Sequence, residues 1–462
     1  MIISLKGMIV LKFGGTSVGS AQRIRSVAHL VASVEGRKII TLSAMSGTTD
    51  ALVRIANTIR EGQWEDAEEQ VKALQVRYHN VVEELFEEEE LQKEAIDALT
   101  PVFEQLLDQT HNEAFTQNDE KFILSRGEIM STSLMGFTLR EYEGVNAVHL
   151  DALSFMRINH AGEPDPVYIR EHLTPLLEAD KGENTLFLTE GYICINAFGE
   201  IDNLRRGGSD YTATLVGEAA DAQEIQIWTD IDGLHNNDPR IVNVTSPVRR
   251  LHFGEAAELA HFGAKILHPA CIEPARRANI PVRLLYTLDP QAPGTRISCE
   301  TSKDMVKAVS AKDGISLLTL RRHLRIDGGL SMTECLVAIS ELLAKHNIVT
   351  DLISIMGDSY LIAVEEAPSV ALFCEEASQW SDVLYQKDMT ILAVVGDMGW
   401  ERMGFEVRIL EAVDDIPIRM ISYGSSNYSL VLVVSSEDKR RAMIALSDHL
   451  FSNLNRQMPE LG

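Results

Sequence analysis

Apolar and polar positions in the first sixty or so residues run through the same pattern twice. A short apolar run, Met8-Ile9-Val10-Leu11, ends in Lys12-Phe13-Gly14-Gly15-Thr16-Ser17-Val18-Gly19. From Ser20 the apolar positions take helical spacing, with Ile24, Val27, Ala28, Leu30 and Val31 on one face. Lys38-Ile39-Ile40-Thr41-Leu42-Ser43 repeats the run, a Ser/Gly/Thr turn follows, and a helix is predicted over Asp50 to Arg60. Strand, turn and helix in repeated order predict an α/β sheet of mostly parallel strands. Further strand-like runs occur at Ala147 to Leu150, Thr185 to Thr189, Glu224 to Thr229 and Pro281 to Leu285, while Met1 to Gly7 reads as a short leader with Met8 as an alternative start.

Glu61 to Gln117 is acidic and helix-forming, with a Glu87-Glu88-Glu89-Glu90 run, and reads as a solvated helical insertion in which Pro101 opens a second helix. The texture changes around Ala292-Pro293-Gly294-Thr295. Beyond it, Asn347 to Ser354 falls on Asp415 to Ser422 with a shift of 68 positions, and Tyr360 falls on Tyr428. The repeat predicts two small βαβ-type units, which bury a sheet face by pairing with each other or across a dimer.

Composition narrows the function. The 462 residues carry 42 Lys+Arg against 68 Asp+Glu, a net charge of −26, and 45% are hydrophobic. At roughly 150 residues per domain this is about three folded domains. So negative a chain repels nucleic-acid backbones and anionic membranes, so an anionic ligand needs a local cluster of cations. No apolar run approaches the roughly 18 residues that span a bilayer, and the chain reads as soluble and cytoplasmic. Its 5 cysteines (Cys194, Cys271, Cys299, Cys335, Cys374) are scattered with no CxxC pair, and read as buried, reduced structural thiols.

Four clusters carry candidate chemistry. Lys12 precedes Gly14-Gly15, the reverse of a Walker loop, and GxGxxG, HRD and DFG patterns do not occur at the expected places. A strand-end lysine beside glycine-exposed amides and a helix start suits a phosphate. Arg205-Arg206-Gly207-Gly208-Ser209-Asp210 places cations and N–H donors at another helix start, suited to a carboxylate or phosphate. Thr229-Asp230 through Asp238-Pro239-Arg240 reads as a nucleotide-edge loop. Its Asp230, Asp232 and Asp238 lack the closing glutamate of a calcium loop. In the fourth, Phe262-Gly263-Ala264-Lys265-Ile266-Leu267-His268-Pro269, a second lysine follows a helix that includes Ala256, Leu259 and Ala260. His261 and His268 lack a ligand pattern, and no metal site is predicted.

In this order, Lys12-Phe-Gly-Gly-Thr-Ser, Ser125-Arg126-Gly127-Glu128, Arg206-Gly-Gly-Ser-Asp210, Thr229-Asp230 to Asp238-Pro-Arg240 and Phe262-Gly-Ala-Lys265-Ile-Leu-His-Pro resemble aspartate kinase. The likeness is to the monofunctional form with two C-terminal ACT domains, such as the lysine-sensitive bacterial isoenzyme, and it covers essentially the whole chain. It implies an amino-acid-kinase fold over residues 8–297 (insertion 61–117) followed by ACT-like α+β units at 307–380 and 388–455, the second tending to be inserted in the first. It also implies ATP with Mg²⁺, L-aspartate as the phosphoryl acceptor, a homodimer or dimer of dimers, and feedback by an end-product amino acid. By the same resemblance Lys12 and Asp210 are catalytic, and Thr49, Glu128, Arg206 and Ser209 hold aspartate. Lys12, Gly14, Gly15, Thr229, Asp230, His235, Arg240 and Lys265 line the nucleotide site.

The chain departs from the family at three places. His235 stands where a tyrosine is common. Glu334-Cys335-Leu336 replaces Gly-Phe-Leu of the lysine-sensitive form, and Ile355-Met356-Gly357-Asp358-Ser359 replaces Thr-Ser-Glu-Val-Ser. Two other readings compete: another amino-acid-kinase member, and a non-catalytic amino-acid sensor on a degenerate kinase domain.

Overall fold

The structure is a computed structural model that describes residues 7–205, 207–264, 267–301, 306–323 and 329–455. The leader residues 1–6 lie outside that set, as do Arg206 and Lys265. The chain divides into two compact units, the first made of residues up to 234, 249–253 and 266–300, the second of 235–248, 254–265 and everything from 301. Two segments inside the expected 8–297 domain therefore belong to the second unit.

In chain order the first unit starts with β1 (Ile9–Phe13), α1 (Ala21–Ser33), β2 (Lys38–Leu42), α2 (Thr48–Arg60), α3 (Trp64–Leu85), α4 (Glu89–Thr110) and α5 (Gln117–Glu143). It continues with β3 (Val148–Leu150), α6 (Ala152–Phe155), α7 (Pro166–Ala179), β4 (Leu186–Glu190), β5 (Ile193–Ile195), β6 (Ile201–Asn203), α8 (Gly208–Ala219) and β7 (Glu224–Thr229). After β8 (Arg250–His252) and α9 (Phe253–His261), most of which belongs to the second unit, come α10 (Pro269–Ala278), β9 (Val282–Tyr286) and β10 (Thr295–Ser298). Eight strands pair in the order β3-β4-β2-β1-β7-β9-β10-β8, parallel throughout except β9 with β10. All five residues of β2 and of β4 are buried, as parallel strands covered on both faces require. Helix starts follow local chemistry: Ser20 caps α1 through the Arg23 amide, and Thr116 with Asp119 forms a capping box on α5.

The solvated-insertion expectation is corrected by packing. Tyr78 of α3 and Phe103 of α4 are fully buried in one hydrophobic cluster with Leu11, Phe13 and Ile40, and their rings meet edge-on at 5.8 Å. Only the outward faces of these helices carry the acidic residues. Pro101 lies inside α4, which starts at Glu89, so it does not open a helix.

The second unit continues with β11 (Val306–Arg322), α11 (Met332–Lys345), β12 (Thr350–Met356), β13 (Ser359–Glu365), α12 (Ser369–Ala377), β14 (Ser381–Gly396), α13 (Phe405–Ala412), β15 (Ile418–Ser422), β16 (Ser429–Ser435) and α14 (Lys439–Asn455). Its sheet runs β12-β13-β11-β14-β16-β15 and every pairing is antiparallel. The repeat appears as the matched order of the two halves, with β12 and β15 on opposite edges.

The nesting runs opposite to the family expectation. Leu318 and Leu320, late in β11, pack with Cys335, Tyr360 and Phe373, whereas Val309, early in β11, packs with Leu392, Phe405, Leu432 and Leu446. The earlier copy is thus inserted in the later one, and both cores share β11 and β14. Where the cores meet, the register slips between Lys312 and Ile315, with left-handed Gly314 (φ +71°) in β11 and left-handed Asp388 (φ +57°) in β14.

Among the cysteines, Cys194, Cys271 and Cys335 are buried, Cys374 is half-buried and Cys299 is exposed, so the expectation of uniformly buried thiols fails at Cys299. No described helix is long and apolar enough to cross a membrane.

If α3 and α4 are core rather than insertion, Phe103→Ala lowers the unfolding free energy by about 3–5 kcal/mol. Urea unfolding checks this. A loss within about 0.5 kcal/mol, as at a surface position, would return these helices to the solvent.

Candidate active site

Parallel α/β sheets place their ligands beyond the carboxyl ends of the strands, and four of the expected site residues converge there around Lys12. Lys12 is the penultimate residue of β1, between β2 and β7, and is 9% exposed. Its Nζ lies 2.6 Å from Asp210 Oδ1, forming an ion pair.

Close backbone approach explains the glycines. A Cβ on Gly15 would stand 2.6 Å from the Ala44 carbonyl oxygen, so the turn after β1 lies directly on the turn after β2, joined by Ser46 N–H to the Gly15 carbonyl at 3.1 Å. Gly14 leaves an ordinary 3.6 Å gap between its Cβ position and Lys12 Nζ. On the other side, a Cβ on Gly191 would fall 2.7 Å from Ser209 Oγ, and one on Gly208 2.7 Å from the Tyr192 ring. Left-handed Gly207 (φ +75°) caps α8 and delivers Ser209 and Asp210 from its first turn. A helix N-terminus with its free amides thus opens beside Lys12.

Glu128 approaches from α5. Gly127 and Glu128 sit mid-helix, where Gly127 lets α5 close onto Ala44. Glu128 is 4% exposed, Oε1 accepts the Ala44 N–H at 3.2 Å, and Oε2 is buried with no partner among the described residues. Burial pushes its carboxyl up to about 8, and the nearby Glu190 charge adds to this, while the Ala44 hydrogen bond opposes it.

These groups bound a cleft of about 420 Å³, with Lys12, Thr49, Glu128, Ser209 and Asp210 in its wall. Ser43, Tyr192, Arg205, Gly207 and Gly208 complete the lining. Sequence reasoning gave Ser43 and Tyr192 no role, whereas Arg205 already stood in the Arg205-to-Asp210 cluster suited to a carboxylate or phosphate. Tyr192 had no sequence signal, since its position depends on a left-handed backbone (φ +67°) at the end of β4. Arg206 and Lys265, expected at the carboxylate and the nucleotide phosphates, lie outside the described residues.

The other expected nucleotide residues do not line this cleft. Thr229 and Asp230 follow Trp228, which pairs with Phe13 at the end of β1, and their side chains meet at 3.2 Å. His235 and Arg240 belong to the second unit. There His235 Nδ1 lies 2.7 Å from Thr245 Oγ1, and the Arg240 guanidinium forks onto Asp238 at 2.7 and 2.9 Å. No group of three His, Cys, Asp or Glu able to hold a metal occurs among the described residues.

Residues 7–286 match the Amino acid kinase family and residues 392–450 match an ACT domain. The chain is 32% identical to lysine-sensitive aspartokinase 3 of Escherichia coli (strain K12), an alignment that spans 96% of this chain and 99% of that one. The structure of E. coli aspartokinase III with aspartate and ADP (R-state) superposes with a TM-score of 0.78 at 30% identity, covering 96% of this chain and 100% of that one. The same enzyme with lysine and aspartate (T-state) gives 0.75 at 31% identity, covering 96% and 99%. On these matches the chain belongs to the aspartokinases of the amino acid kinase family.

The Glu128 environment sets a pH dependence. Below the ordinary carboxyl range the group is protonated whether the chain is folded or not. As pH rises toward about 8 the unfolded chain ionises first, so the folded state loses stability across that window. Glu128→Gln keeps the Ala44 contact without the titration. Its unfolding free energy, measured by denaturant at pH values from about 5 to about 8, is expected to fall less steeply than wild type; parallel profiles would refute the assignment.

Proposed function

We propose that this chain transfers the γ-phosphoryl group of ATP to the side-chain carboxylate of L-aspartate, giving ADP and 4-phospho-L-aspartate. The observation that carries this reading is the Lys12–Asp210 ion pair facing the buried, half-satisfied Glu128 across one cleft. A side-chain carboxyl with a pKa near ~4 is already ionised at neutral pH, so no strong general base is needed. The carboxylate oxygen attacks the γ-phosphorus and the bond to the β–γ bridging oxygen breaks toward ADP. What the site must supply is alignment of two anions and stabilisation of the charge that spreads over the transferring group.

Lys12 supplies that charge, and Asp210 fixes where its ammonium points. A charge pair at ~4 Å is worth on the order of 4 kcal/mol at an effective dielectric near 20, about three decades of rate if felt mainly in the transition state. Glu128, whose buried Oε2 meets no donor among the described residues, receives the substrate ammonium. Thr49 and Ser209 hydrogen-bond the bound amino acid, and Arg206 grips its α-carboxylate. Gly14, Gly15, Thr229 and Asp230 form the nucleotide side. Mg²⁺ bound with the triphosphate would be held by one or two carboxylates plus phosphate oxygens, the usual arrangement for this ion. It would neutralise charge on the β- and γ-phosphates.

The proposal extends to a cytoplasmic homodimer whose ACT units take an end-product amino acid. Exposed Ile353, Ile355 and Met356 on edge strand β12 and Ile421 on edge strand β15 are apolar surface suited to a partner. In the region expected to meet the effector, Glu334 is committed to the capping box of α11 with Ser331, and Cys335 is buried. Ligand contacts there differ accordingly from those of Gly-Phe-Leu.

ADP release coupled to L-aspartate, with and without lysine, threonine and methionine, tests substrate and effector together. Lys12→Met should lower kcat by about a thousandfold with circular dichroism unchanged; near-normal kcat would overturn the role. Aspartate binding without turnover in the wild-type chain would favour the sensor reading.

A further inference from the structure

Tyr192 carries a large side chain on a left-handed backbone, φ +67°, between β4 and β5, where a bulky L residue is an outlier. Two hydrogen bonds fix that backbone. The Tyr192 N–H donates to Thr212 Oγ1 at 3.0 Å, and its carbonyl accepts the Leu204 N–H at 2.8 Å. Backbone strain that the surroundings over-determine gathers at sites where a side chain serves a ligand.

The neighbours of the ring place it in the cleft. A Cβ on Gly208, which lines the cleft beside Tyr192, would stand 2.7 Å from Tyr192 Cδ2, so the ring lies directly against the start of α8. Tyr192 also packs against the hydrophobic cluster to which Leu52 of α2 and Met130 of α5 belong. Among the described lining residues it is the one large apolar surface; the others are charged, hydroxyl-bearing or glycine. The Glu128 charge reaches the phenol and, with burial, pushes it up out of its ordinary range.

An amino acid acceptor in this cleft is pinned at two points, its ammonium at the buried Oε2 of Glu128 and its side-chain carboxylate beside Lys12. The chain between those two groups has to match the space that the wall leaves. A ring wedged between the Gly208 backbone and packed side chains does not yield to an added methylene without strain.

We infer that Tyr192 is a specificity-determining residue whose ring sets the length of the acceptor, admitting a four-carbon amino dicarboxylic acid and turning away its five-carbon homologue. This rests on the aspartate kinase reading.

ADP release with L-aspartate and with L-glutamate, compared across wild type, Tyr192→Phe and Tyr192→Gly, tests it. Glycine suits the left-handed backbone and opens the wall, whereas phenylalanine keeps the ring. The kcat/KM preference for aspartate over glutamate is expected to fall by about tenfold or more in Tyr192→Gly, the scale of one methylene, with KM for ATP unchanged. Tyr192→Phe should retain the wild-type preference. An unchanged preference in Tyr192→Gly, or one lost equally in Tyr192→Phe, would overturn the inference. A measurement on the wild-type chain needs no variant to fold: L-glutamate should inhibit aspartate turnover only at concentrations about tenfold or more above the KM for aspartate. Inhibition at equal concentrations would overturn the inference as well. Wild-type ADP release with L-aspartate is the control: if it is absent the functional reading fails, whereas its presence beside an unaltered preference in Tyr192→Gly removes only the role of Tyr192.

Discussion

A lysine held out of water against a single carboxylate at the end of a central strand is the constraint around which the first unit is arranged. Burying either charge alone would cost several kcal/mol, so Lys12 and Asp210 must be delivered to one point from strand β1 and helix α8, nearly two hundred residues apart in sequence. The delivery depends on backbone passing backbone. Gly15 lies on Ala44, Gly127 on Ala44 and Gly191 on Ser209, each too close for a side chain. Larger residues at these positions would separate the strand ends and part the pair. The cleft is polar because its walls are helix starts and turns, and it is positioned because those turns are packed without intervening side chains.

The same economy appears in the second unit. Neither ACT core is large, and each completes itself by borrowing half of a long strand from β11 and half from β14. The break at Gly314 and Asp388 lets one pair of strands change direction between two cores. Two small ACT-like folds thereby share a continuous hydrogen-bonded sheet.

Much of this was legible in the chain. The strand, turn and helix rhythm, the Lys12 turn and the Arg-Gly-Gly-Ser-Asp run were visible because each rests on local spacing or on glycine's tolerance of left-handed backbone. The acidic helices misled, since periodicity reports an amphipathic face but not what covers it; Tyr78 and Phe103 are covered by the sheet. Glu128 was found by its motif alone, because a helix as mixed as α5 has polar residues buried on several sides. Tyr192 and Ser43 gave no signal, as both join the cleft only through the ends of neighbouring strands.

The sequence by itself determined the class of chemistry and the order of the parts, because backbone propensity, glycine turns and charged residue types act over a few neighbours. Only the tertiary structure decided which charges are paired, which carboxyl is desolvated and how the two ACT-like copies are interleaved. Those outcomes depend on burial and on distances between residues far apart in the chain, and the free energy of a charge is set by what surrounds it in space.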